Sequence, residues 1–198
     1  MTMSLTRQPP VTRAGAASHW LKRYYFTRFL VSALWVLLAF AVARHVPPLA
    51  AVMLIGYPAW DALANYVDAL RSGGLARNRA QALNVAVSLV TSFAVSVALG
   101  RGPHAVLFVF GVWAWFSGVL QLAAAAKRWK TAGAQWAMIL SGAQSALAAS
   151  FMIKMAIGTK AVGIADVAPY AAFGAFYFLV SALSLTVSDA RKATKKSR

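Results

Sequence analysis

The chain of 198 residues has no cysteine and no glutamate. Without cysteine there are no disulfides and no thiolate metal sites. Acidity rests on four residues alone, Asp61, Asp68, Asp166 and Asp189. The sequence also lacks HExxH, a phosphate-binding glycine loop, GxSxG and any Ser–His–Asp set that its topology would bring together. These absences argue against an enzyme and leave no cofactor or metal to expect. The three histidines, His19, His45 and His104, are dispersed. His45 and His104 both fall at turns, where an imidazole could respond to acid.

What is present is apolar surface. The hydrophobic fraction is 60% and the mean hydropathy +0.62, against roughly 45–50% apolar in ordinary soluble domains. Phe110–Lys130 is mostly apolar until Lys127, Arg128 and Lys130. At ~1.5 Å per residue such a run reaches across the ~30 Å hydrocarbon core of a bilayer. Phe173–Ala193 is a compatible copy: Phe110, Gly111, Leu120, Leu122 and Arg128 match Phe173, Gly174, Leu183, Leu185 and Arg191. A fainter copy lies at Ile55–Arg71, where Gly56 and Trp60 stand for Gly111 and Trp115. Ser88 and Ser92 likewise align with Ser141 and Ser145.

These patterns predict an all-α, polytopic membrane protein of six transmembrane helices, built as three repeated helical hairpins (25–69, 80–126 and 134–187). The hairpins form one domain over 25–188, between basic cytoplasmic tails at 1–24 and 189–198. The helices are placed at about Tyr25–Ala43, Leu49–Ala69, Ala80–Leu99, Ala105–Ala126, Ala134–Ile157 and Ala168–Val187. Each hairpin follows the same in–out–in path, so the repeats are parallel. Ala41-Val42-Ala43 resembles a signal-peptidase site, but the preceding region is long and the first helix completes the repeat, so retention is expected.

The net charge of +16 does not point to nucleic acid, because Lys and Arg do not share one face of a soluble fold. They separate by side instead. Arg7, Arg13, Lys22, Arg23 and Arg28 precede the first helix or open it. Arg71, Arg77 and Arg79 follow the second, Lys127, Arg128 and Lys130 the fourth, and Arg191, Lys192, Lys195, Lys196 and Arg198 the sixth. Only Arg44, Arg101, Lys154 and Lys160 fall on the other side. The positive-inside rule then places both termini in the cytoplasm. The partners expected are the bilayer itself and anionic lipid headgroups at the cytoplasmic face, at ~1 kcal/mol per nearby cation. Gly111 and Gly118 on one face of the fourth helix, and Gly142, Ala146 and Ser150 on the fifth, permit close helix approach within the chain or, in a homo-oligomer, between chains.

Gly111–Leu122 (GVWAWFSGVLQL), the basic turn after it, Trp136–Gly142 (WAMILSG) and the last helix with its basic tail resemble the HdeD-like family of small bacterial membrane proteins. The likeness covers about residues 80–190, and the first hairpin follows it poorly. It implies a six-helix protein of the bacterial inner membrane, linked in some enteric bacteria to acid resistance, with no established catalytic or ligand residues to carry over.

The second helix departs from that apolar pattern. Asp61, Asn65 and Asp68 stand at i, i+4 and i+7 and share one helix face. An aspartate inside a span costs at least ~2.5 kcal/mol on insertion scales unless it is paired, hydrated or protonated. Two readings follow. Asp61 titrates, with Asn65 as its hydrogen-bond partner, in a channel or proton-coupled transporter whose polar line continues through Gln121 and Gln144. Or Asp61 bonds to Arg28, or to a Ser or Gln on a neighbouring helix, and fixes packing, while Asp68 meets Arg71 or Arg28. Gln121 and Gln144 then serve as interhelical hydrogen-bonding groups, and Lys154 snorkels to the interface. Trp35, Trp60, Trp113 and Trp115 read as packing or lipid-facing bulk.

Overall fold

A computed structural model describes residues 10–128 and 136–196, with side chains over 19–119, at Leu122, over 139–191 and at Thr194. Among the described residues the chain is helical and without strands. The helices are α1 (Pro10–Ala41), α2 (Pro47–Arg71), α3 (Arg79–Leu99), α4 (Pro103–Arg128), α5 (Trp136–Ala156) and α6 (Ile164–Lys196), with one 3-10 turn at Ala43–His45. Among the described residues, four segments are long and apolar enough to cross a membrane: His19–His45, Arg79–Leu99, Ile139–Ala156 and Ile164–Arg191. In α4, a 26-residue helix, the side chains are described over Pro103–Val119 and at Leu122, and Pro103–Val119 is apolar. α2, which carries Asp61 and Asp68, is not among the four.

The helix bounds have local causes. Pro47-Pro48 and Pro103 occupy first-turn positions, where a missing N–H costs nothing because those donors have no intrahelical acceptor. α2 ends in a Schellman arrangement. Gly73 takes φ +102°, a left-handed conformation that favours glycine, and Gly74 N–H returns to Ala69 O at 2.7 Å. Asn78 Nδ2 then donates to the carbonyls of Ser72 and Gly74 at 2.8 and 3.1 Å. The basic loop between α2 and α3 is thus internally bonded. At the start of α6, Asp166 Oδ2 accepts from Gly163 N–H at 2.7 Å, which satisfies an orphan donor at the helix entrance.

The chain divides into two compact units, Ala33–Phe173 and the pair Met1–Ser32 with Gly174–Arg198. In the smaller unit the described part of each chain end is helical. α1 already begins at Pro10, and α6 continues to Lys196. Lys22 Nζ pairs with Asp189 Oδ2 at 2.8 Å. Tyr25 stacks on Phe178 at 6.4 Å between centroids. The Arg28 guanidinium lies 4.1 Å from the Phe178 ring centre, a cation–π geometry, and donates to Tyr24 Oη at 3.0 Å.

In the larger unit, α2 packs on α3, α3 on α4, and α4 on α5. The α4–α5 contact is the closest. A Cβ placed on Gly118 would stand 2.7 Å from Gly142 O and 2.9 Å from Ala146 N, and one on Gly111 would stand 2.7 Å from Ile153 Cγ1. The small-residue faces therefore meet within the chain, as the spacing suggests. The core centres on aromatic rings from four helices. Trp35 of α1 lies 4.8 Å from Tyr57 of α2. Tyr57 lies 6.0 Å from Trp113 of α4, edge to face, and Trp113 also meets Phe110 and Tyr170 of α6, each at 5.8 Å. Trp35 and Trp113 are buried, whereas Trp115, two residues on, is 46% exposed.

Candidate functional site

α2 is the polar element of the larger unit, and its interruption by a proline explains part of its bonding. Pro58 lies inside the helix, fully buried, and has no N–H for the Leu54 carbonyl one turn back. The flanking carbonyls accept side-chain donors from neighbours: Trp35 Nε1 donates to Met53 O at 3.0 Å and Ser92 Oγ to Ile55 O at 2.9 Å. Bonds of this kind make a proline tolerable in an apolar helix.

One turn further, Ser88 Oγ of α3 donates to Asp61 Oδ2 at 2.8 Å. Asn65 Nδ2 donates to the same oxygen at 3.0 Å and to Asp61 backbone O at 2.8 Å. Asn65 and Ser88 are buried, and Asp61 is half-buried. Two turns on again, Gln81 Nε2 donates to Asp68 Oδ2 at 3.2 Å. These contacts pair residues whose numbers rise along α2 as they fall along α3, the register of an antiparallel hairpin. Ser92, Ser88 and Gln81 thus form one polar seam with Ile55, Asp61 and Asp68. Hydrogen bonds to an ionised acceptor are shorter and roughly twice as strong as neutral ones, so two donors on one carboxylate oxygen offset part of the cost of placing Asp61 in an apolar helix.

The sequence brings Asp61 and Asn65 together, and a neighbouring serine is among the partners it allows for Asp61. Asp68 departs from expectation. It accepts from Gln81 and makes no ion pair with Arg71 or Arg28 among the described residues, and its Oδ1 is buried without a partner there. A neutral amide is cheaper to bring under the surface than a guanidinium, whose desolvation opposes the pairing. Gln81 carries no signal in the sequence beyond its place at the start of α3. Gln144 is half-buried on α5, the helix packed against α4. The Gln121 side chain and the basic turn at Lys130 lie outside the described residues. Arg28 belongs to the smaller unit, with the Tyr24 and Phe178 contacts given above. Lys154 is exposed in the last turn of α5, as snorkelling requires. At the turns, Arg44 Nε donates to His45 Nε2 at 2.8 Å, and His104 Nε2 lies 3.0 Å from Lys160 O. No group of three or more His or Asp residues suited to a metal ion occurs among the described residues.

Chemically, the seam holds two carboxyl groups two helical turns apart: Asp61, which accepts from Ser88 and Asn65, and Asp68, which accepts from Gln81. Ser88→Ala is expected to leave Asp61 without one donor and to lower stability by about 1–3 kcal/mol. Reversible unfolding in mixed micelles, read by circular dichroism, measures this. Compared with family models, curated proteins and solved structures, the chain finds no match.

Proposed function

We propose that the chain is a non-enzymatic, six-span integral membrane protein of the HdeD-like type. It sits in the bacterial inner membrane with both termini cytoplasmic and serves the response to acid or envelope stress through packing and lipid contacts. The observation that carries this reading is the bonding of Asp61. Its carboxylate is engaged by Asn65 of its own helix and Ser88 of the next, so it acts as a clamp that fastens α2 to α3. The resemblance to the family and the one-sided distribution of Lys and Arg support the same reading.

A second reading, a small channel or proton-coupled transporter, draws on the buried Oδ1 of Asp68, which has no partner among the described residues. This is an open acceptor on the same seam as Asp61 and Asn65. A pH-jump flux assay in proteoliposomes separates the two. The clamp reading expects no proton or cation flux, and Asp61→Asn indistinguishable from wild type in that assay. Flux that Asp61→Asn abolishes would install the transporter instead. In cells, a deletion strain is expected to lose viability on acid challenge and to regain it with wild type. Unchanged survival of the deletion strain would remove the stress role. A reporter fused after Arg198 should be inaccessible from outside intact cells.

A further inference from the structure

The turn between α3 and α4 opens onto a groove of about 450 Å³ in the larger unit. Ala94, Ala98, Ala105 and Ala156 are its small residues, and the aromatic rings of Phe93 and Phe108 are exposed at it. Arg101 and His104 are the polar residues of its lining. Along α3 the lining runs from Val90 to Ala98, which at ~1.5 Å per residue is roughly 12 Å, and Arg101 stands in the turn just beyond. With the turn that carries Arg101, this approaches the depth of one leaflet, about half of a ~30 Å hydrocarbon core. The Arg101 side chain is exposed and makes no hydrogen bond or ion pair among the described residues. The contact of His104 with Lys160 O at 3.0 Å draws the turn between α5 and α6, which carries Lys160, to the same mouth. Asp166 at that turn is engaged by Gly163 N–H.

We propose that this groove holds one anionic phospholipid, with an acyl chain along α3 and α4 and the headgroup phosphate at Arg101. An apolar channel close to one leaflet deep that ends in an uncompensated cation matches an acidic lipid in both length and charge. A zwitterionic lipid of the same chains fills the channel but brings its own ammonium to the guanidinium. The site lies at the opposite end of the hairpins from the basic loops that face the cytoplasm in the reading above. It rests on that reading only in requiring a membrane-embedded chain.

Native mass spectrometry of the full chain, released from mild detergent with added phosphatidylglycerol or phosphatidylcholine of matched chains, tests the proposal. Wild type is expected to retain one phosphatidylglycerol in preference to phosphatidylcholine. Arg101→Gln should weaken that retention about fivefold, the loss of one interfacial cation, and Arg101→Lys should largely restore it. Ala94→Phe, which fills the groove, should lower retention of both lipids. Because Arg101 is exposed, its two variants remain informative if Ala94→Phe misfolds. Equal retention of the two lipids, an Arg101→Gln protein that binds as wild type, or a second copy of the chain in place of lipid would overturn the proposal. A chain monodisperse without detergent would instead sink the membrane reading.

Discussion

Gly118→Leu should separate α4 from α5 and prevent the second and third hairpins from docking. Even an added Cβ would stand 2.7 Å from Gly142 O and 2.9 Å from Ala146 N, and neither backbone atom can swing aside as a side-chain end could. The helices must part, and a gap of 0.5–1 Å already forfeits a quarter to a half of each dispersion contact across it. Lipid tails are as apolar as the helix surfaces, so no hydrophobic term compensates for lost packing. Gly118→Ala is expected to cost about 1–3 kcal/mol, partly offset by the up to ~1 kcal/mol that alanine gains over glycine in a helix, and Gly118→Leu more. Gly56→Ala is the control. No atom of a neighbouring element among the described residues lies within 4 Å of its added Cβ, so the helix-propensity gain remains and stability should rise by up to ~1 kcal/mol. Unfolding in mixed micelles that ranks Gly56→Ala above wild type and Gly118→Ala below it would bear this out. Equal effects at the two glycines would mean that the α4–α5 approach is not needed for the fold.

That pair shows where the sequence is legible. Gly56 and Gly111 occupy matching places in the repeat, yet Gly111 meets Ile153 and Gly56 meets no neighbouring element among the described residues. The repeat gives the helices and their order but not which copy of a motif is packed. Helix positions follow from apolar length and from punctuation by Pro47-Pro48, Gly73-Gly74 and Pro103. The ends are less legible. Lys22 and Asp189, both read as tail residues, form an ion pair between two helical extensions. At the polar seam, Asp61 and Asn65 are readable from i, i+4 spacing alone. Gln81 as the partner of Asp68 is not, because the register of α2 on α3 depends on the bonded loop between them. Asn78 and Gly74 set that register through backbone geometry that composition does not encode.

Trp113→Ala should be among the most destabilising substitutions in the chain, at about 3–5 kcal/mol, whereas Trp115→Ala should stay within about 0.5 kcal/mol of wild type. The two residues lie side by side in an apolar helix, and the sequence treats them alike, because a helix hydrophobic all round has no polar face to reveal its inward side. The structure separates them. Trp113 is 5% exposed and meets rings from α2 and α6 as well as Phe110 of its own helix, while Trp115 is 46% exposed. Removing the Trp113 indole leaves a void among Tyr57, Phe110 and Tyr170 that those rings can fill only by leaving their edge-to-face arrangement. Each such pair contributes about 0.5–1.5 kcal/mol beyond its buried area. The loss should also spread: Tyr57 touches both Trp113 and Trp35, so Trp35→Phe combined with Trp113→Phe should cost a different amount from the two singly, by about 0.5 kcal/mol or more. Strict additivity in that double-mutant cycle would show that the rings are separate packing contacts. A measurable coupling would make them one cluster through which hairpins carrying no covalent cross-link are held together.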